Sequence, residues 1–323
     1  MREINMAKAR ITIVGLGLIG TSLGLALQKI KTDFEIIGHD KEHTQGQKAH
    51  KLGAIDRTEW NLISACEGAA VIFLALPAMA VKETVQALTP YLWSGAILTD
   101  TASTKTQILE WAQALLPADV NFIGGDPVVS HAGGIDAARA NLFEGALYCL
   151  VPAISTAPEA VRVVADLVSA IGAKPYFVDA TEHDGLMAAM AHLPCLMPAV
   201  MLNAVAQNNA WREEMCKLSS GDFRHATALA EINPETLRDL CLTNGPSIIR
   251  WLDACMTNLQ TLRNIVATSN GVELKAFFTA SHTARLELLK PAEPGPRAIE
   301  AGEFGRDSLR HMFFGASGKR KVR

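Results

Sequence analysis

The sequence predicts an α/β protein in two parts: a doubly wound parallel sheet, then an all-α unit. Three observations carry this. Residues 11–24 read ITIVGLGLIGTSLG, a short apolar run feeding Gly15, Gly17 and Gly20, with a helical pattern after it. Strand and helix signals then alternate through about residue 180. From Thr181 the strand signals vanish, and helical stretches run to about Leu289.

The first element, with Ile11, Ile13 and Val14, is a buried strand. The glycines that follow form the GxGxxG turn of a Rossmann βαβ unit. Gly15 allows the tight turn, Gly17 lets a pyrophosphate approach the backbone, and Gly20 lets helix pack on sheet. The pyrophosphate would rest on free N–H groups at the helix start, beside Leu16, Leu18 and Ile19. The strand from Phe34 to Gly38 leads to Asp40, 20 residues after Gly20. A carboxylate there accepts both adenosine ribose hydroxyls and repels a 2′-phosphate. NAD is therefore the expected cofactor, with Lys41 and Lys48 softening the preference towards NADP.

Further elements follow in order. A helix spans about Glu42 to Leu52. Residues 70–76 form a continuous apolar run, as in a strand buried on both faces. Pro77 ends it, and a helix covers about Ala80 to Leu88. A strand from Ala96 to Asp100 precedes a helix from Ser103 to Leu115, and Val120 to Gly124 is another strand. Strands at Ala146–Val151 and Tyr176–Val178 flank a helix over Pro158–Ile171 and extend the sheet. The expected division is 8–180 for the dinucleotide-binding domain, 181–290 for a helical substrate and dimerisation domain, and 291–323 for a flexible tail rich in Pro, Gly and Glu, with a short helix near Leu309–Phe314.

Composition narrows the function. The 323 residues are 49% hydrophobic and 20% charged, with net charge −3. This is a globular balance with no basic field for nucleic acid. The six cysteines show no CxxC pair and no metal-ligand spacing, so reduced thiols in a cytoplasmic protein are expected, and no metal. No apolar signal-peptide core precedes the first strand. The stretch from Leu186 to Val205 is apolar all round but broken by His192, Pro194, Pro198 and Asn203. It reads as a helix buried at a homodimer interface rather than a membrane span.

Several motifs together resemble the prephenate and arogenate dehydrogenase family over roughly residues 8–290. They are GLGLIGTSLG (15–24), FLALP (73–77), TDTASTK (99–105), FIGGDPV (122–128), LFEG (142–145), EHDGLMAAMAHLP (182–194) and SGDFRHATALAEINPE (220–235). The resemblance implies a Rossmann domain plus a helical dimerisation domain. It also implies oxidative decarboxylation of a cyclohexadienyl substrate, with hydride passing from C4 to the nicotinamide. Leu76 and Pro77, with Thr101, would border the cofactor. Ser103 matches a serine that bonds the catalytic histidine and the substrate hydroxyl, although its position also suits a helix N-cap. His192 matches a histidine of the substrate pocket, its bland alternative being a core histidine bonded to a carbonyl. The 3-hydroxyacid dehydrogenases share the architecture, but they usually place a lysine opposite the nicotinamide, and residues 183–203 contain none.

The chain also departs from the family pattern. Asp126 stands where the family has its catalytic histidine, Cys195 replaces a second pocket histidine, and Ala228 replaces the arginine that holds the ring carboxylate. Arg224, one helical turn before Ala228, is the candidate to reach that carboxylate. Asp126 itself is a candidate base if burial raises its pKa from about 3.9. His131 is another, against its plainer reading as an exposed loop residue. Two alternatives follow: a dehydrogenase for an amino analogue such as 4-amino-4-deoxyprephenate, and a non-catalytic NAD-binding regulator.

Overall fold

The structure, a computed structural model, describes residues 9–31, 34–129, 133–207 and 209–290. His131 and the segment 291–323 lie outside the described residues.

The Rossmann half begins with β1 (Ala9–Val14), α1 (Leu18–Lys29), β2 (Phe34–His39) and α2 (His43–Lys51). A two-residue β3 (Arg57–Thr58) and a short α3 (Leu62–Cys66) come next. They carry no pattern long enough to be read from sequence. Then come β4 (Val71–Leu74), α4 (Ala78–Leu88), β5 (Ile97–Asp100), α5 (Thr106–Leu115), β6 (Asn121–Pro127), β7 (Leu147–Pro152), α6 (Pro158–Ala170) and β8 (Lys174–Phe177). The eight strands lie in the order β3-β2-β1-β4-β5-β6-β7-β8. The order reverses between β1 and β4, the place where open α/β sheets bind ligands beyond the strand C-termini.

Each central strand is apolar on both faces, because helices cover both. In β4, Val71 and Phe73 pack with α1 and α6 side chains such as Leu27 and Val164. Ile72 and Leu74 face Val81, Val85 and Ile108 on the other side. This is why the strand reads as an unbroken hydrophobic run.

The sheet is not parallel throughout. β6 and β7 pair antiparallel, with Asp126 opposite Cys149. Among the described residues the connection between them holds only a 3₁₀ turn, Ile135–Ala137. A parallel neighbour needs a crossover, usually a helix, whereas an antiparallel one can be reached by a loop.

The helical half contains α7 (Ala180–Met187), a π-helical turn over Ala188–His192, α8 (Leu193–Ala206), α9 (Arg212–Leu218) and α10 (Gly221–Thr227). It ends with α11 (Pro234–Thr243), α12 (Gly245–Ala267) and α13 (Gly271–Leu288). The stretch Ala180–Ala206 is long and apolar enough to cross a membrane by length and composition. However, its His183, Asp184 and His192 are buried and bonded to the Rossmann half, an arrangement lipid would not provide. The expectation of burial on every side is not met within one chain, since only 22% of its most apolar window is buried. Exposed Val200, Met201 and Val205 on α8 join Met256 and Leu259 on α12 and Phe278 on α13 as uncovered apolar surface.

Candidate active site

The glycine turn is built as its chemistry requires. Gly15 has φ +93°, and a Cβ there would lie 2.2 Å from the Ala75 carbonyl oxygen. A Cβ on Gly20 would lie 1.9 Å from the Gly15 oxygen, so the helix crosses too close for any side chain. Gly17, the N-cap of α1, has nothing within 4 Å of its would-be Cβ and no side-chain cap. That open space above uncapped helix amides fits a pyrophosphate. At the end of β2, Asp40 is fixed through backbone donors: Leu16 N donates to Oδ2 at 2.7 Å and Glu42 N to Oδ1 at 2.8 Å. Asp40 is half-buried and stands apart from the lining of the cavity described next.

A cavity of about 450 Å³ runs from this cradle into the helical half. Its sheet side includes Gly17, Leu18, Ile19, Leu76, Pro77 and Thr101. Ser103, shortly after β5, lines it too. The far wall comes from the 3₁₀ turn Ala228–Glu231 and the start of α11, with Asn233 and Thr236. Charged side chains along this lining, among the described residues, are Glu231 and Asp239 alone.

Behind Ser103 lies a buried polar network joining the two halves. His183 Nδ1 donates to Asp184 Oδ1 at 3.0 Å, and its Nε2 donates to Asp126 Oδ2 at 3.1 Å. Burial alone would lower the pKa of this imidazole, but the two carboxylates raise it to about 10, so His183 is a cation at neutral pH. Asp184 also accepts the backbone N–H groups of Lys105 and Thr106, at 2.7 and 2.9 Å. Burial would push its carboxyl up, yet these bonds and His183 hold it below the usual range. Lys105 pairs with Asp100, both fully buried.

His192 takes a different state. Burial holds its pKa below the ordinary value, so it is neutral at pH 7. Its Nε2 donates to the Ser103 carbonyl at 2.9 Å, and its Nδ1 accepts from Asn244 Nδ2 at 3.3 Å. Asn244 also donates to the Asp184 carbonyl. The imidazole therefore fixes the backbone that presents Ser103 to the cavity.

The sequence-derived candidates separate accordingly. Gly17, Leu18, Ile19, Leu76, Pro77, Thr101 and Ser103 line one cavity. Asp126 does not line it. Its side chain is fully buried and turned to His183, with Oδ1 lacking a hydrogen-bond partner among the described residues. The candidate base Asp126 is thus buried, but against His183 rather than in the cavity lining. Cys195 is half-buried, its thiol pKa raised by burial, and Arg224 is exposed; neither lines the cavity. Arg224 and Ala228 do not share one α-helix either, because α10 ends at Thr227. Ser103 is not the N-cap of α5, which starts at Thr106. His183, Asp184, Asn244 and Glu231 were not singled out from sequence. For the first two, the available signal was a charged His-Asp pair opening an otherwise apolar helix.

A glycine cradle at a switch point, open to a cavity walled by helices, defines a two-domain nicotinamide-dependent dehydrogenase. The comparisons narrow the class. The sequence model "Prephenate dehydrogenase, nucleotide-binding domain" matches residues 23–177, and "Prephenate dehydrogenase, dimerization domain" matches residues 179–280. The chain belongs to the prephenate dehydrogenase family.

Among relatives, the prephenate dehydrogenase of Bacillus subtilis (strain 168) is 31% identical over 289 residues, covering 87% of this chain and 76% of that protein. The cyclohexadienyl dehydrogenase of Zymomonas mobilis is 29% identical over 280 residues, covering 86% and 95%. The crystal structure of Synechocystis arogenate dehydrogenase aligns with TM-score 0.70 at 29% identity, covering 87% and 100%. That of Aquifex aeolicus prephenate dehydrogenase with hydroxyphenyl propionate and NAD+ aligns with TM-score 0.80, covering 88% and 99%. At 21% identity the latter likeness speaks for the fold. The protein is an NAD(P)-dependent dehydrogenase of this family.

Proposed function

We propose that the protein catalyses oxidative decarboxylation of a cyclohexadienyl carboxylate, prephenate or arogenate, in tyrosine biosynthesis. The observation that carries this is one cavity lined both by the dinucleotide cradle and by the helical wall, with Ser103 in the same lining. The bound nicotinamide would accept the hydride from C4 of the ring.

What remains for the chain is to hold the ring and its hydroxyl proton. The ring carboxylate leaves as carbon dioxide, and the product keeps a phenolic hydroxyl. The hydroxyl can therefore keep its proton throughout, because the electron pair of the breaking ring–carboxylate bond replaces the pair that leaves with the hydride. Ser103 Oγ would accept a hydrogen bond from that hydroxyl and orient it, on a backbone fixed by His192. Apolar Leu76, Leu229, Ile232 and Leu240 exclude water around the ring. Asp40 supports NAD over NADP.

The exposed apolar faces of α8, α12 and α13 support a homodimer, in which a second copy covers them. The free state of all six cysteines accords with a reducing, cytoplasmic setting.

The test is NADH formation by the purified protein with prephenate and with arogenate. Turnover of either, with release of carbon dioxide, is expected. NAD binding without turnover of both would overturn the reading.

A further inference from the structure

The charge of the cavity deepens that reading, on which this inference rests. Prephenate carries two carboxylates. A cavity for it should offer cations, yet none of the described residues along the lining is Lys, Arg or His. The two charged residues there are acidic. Asp239 is already engaged: both Nε and Nη2 of Arg238 donate to its Oδ1, and Met79 N donates to its Oδ2. Glu231 has no such partner among the described residues. It closes the 3₁₀ turn Ala228–Glu231 on the helical wall of the cavity that Ser103 also lines.

A ring whose hydroxyl meets Ser103 extends its opposite substituent towards the helical wall. If that substituent is a pyruvyl group, a second anion approaches the exposed Glu231 carboxylate, and like charges repel. If it carries an α-ammonium beside its carboxylate, Glu231 accepts a charge-assisted hydrogen bond from it.

We infer that Glu231 is a specificity-determining residue, and that the preferred substrate is a cyclohexadienyl compound with an α-amino acid side chain. Neutral Asn233 and Thr236 donors on the same wall suit the accompanying carboxylate.

The test compares kcat/KM for arogenate and prephenate in the wild type and in Glu231→Gln. The wild type should prefer arogenate by at least about tenfold. Glu231→Gln should lose about five- to tenfold on arogenate, mainly through KM, and lose nothing on prephenate. Calorimetry on the NAD-loaded protein adds a readout without turnover. L-Tyrosine should bind more tightly than 3-(4-hydroxyphenyl)propionate, which lacks the ammonium group, and Glu231→Gln should remove the difference. A wild-type preference for prephenate, or equal losses on both substrates, would overturn the role of Glu231 while leaving the dehydrogenase assignment intact. Turnover of neither substrate would instead sink the assignment itself.

Discussion

His183 Nε2 lies 3.1 Å from Asp126 Oδ2 where α7 crosses β6, and both side chains are almost wholly out of solvent. A second carboxylate, Asp184, holds the other ring nitrogen. The imidazolium thus ties the helical half to the sheet by charge as well as by packing.

Stability should therefore depend on alkaline pH. The folded pKa of His183, about 10, is above its ordinary 6.5. Its contribution is complete below about pH 6.5 and is lost as pH rises through about 10. The melting temperature should fall across that interval in a calorimetric series. Asp126→Asn, which leaves the buried cation with one anionic partner, should cost about 3 kcal/mol and flatten this slope. An unchanged slope in the variant would remove the pair from the account.

The glycines of the turn should fail in different ways. Gly15→Ala meets the Ala75 carbonyl at positive φ and should destabilise the fold. Gly17→Ala has free space and should melt like the wild type, while losing NAD affinity in a calorimetric titration. Equal NAD affinity in Gly17→Ala and wild type would show that the dinucleotide does not pass over this backbone.

Asp40→Asn keeps one side-chain acceptor for the Leu16 or Glu42 amide but loses the charge. The expected result is weaker NAD use, by about tenfold in kcat/KM, with NADP use unchanged or improved. Steady-state rates with both cofactors decide this.

Ser103→Ala should lower kcat on the order of 10²-fold with a small change in KM. Because burial holds the pKa of His192 below 6.5, the acid limb of the rate profile should lie below that value. Protonating Nδ1 would set a donor against Asn244 and disturb the backbone of Ser103. An acid limb centred at or above 6.5 would argue against this arrangement.

How far the sequence could be read follows from the range of the interactions. The glycine turn and the two-faced strands are local patterns, and the structure shows them as expected. The start of α5 is different. Its first amides, Lys105 N and Thr106 N, are capped by Asp184, 78 or more residues away, so no local cap marks the boundary and Ser103 looked like the start. Asp126 misled for the same reason. Its substitution was visible, but its partner His183 sits 57 residues on. The loop return to antiparallel β7 left no periodicity to detect.

The capping of α5 by Asp184 also bears on how this chain can be cut or recombined. A fragment ending at β8 would keep every strand but would leave the first turn of α5 without its acceptor, Asp126 without its counter-charge and the peptide of Ser103 unanchored. Ser103 is thus encoded in one half and held in place by the other. A chimaera carrying a foreign helical half would inherit a working serine only if that half brought equivalents of His183, Asp184 and His192 in the same register.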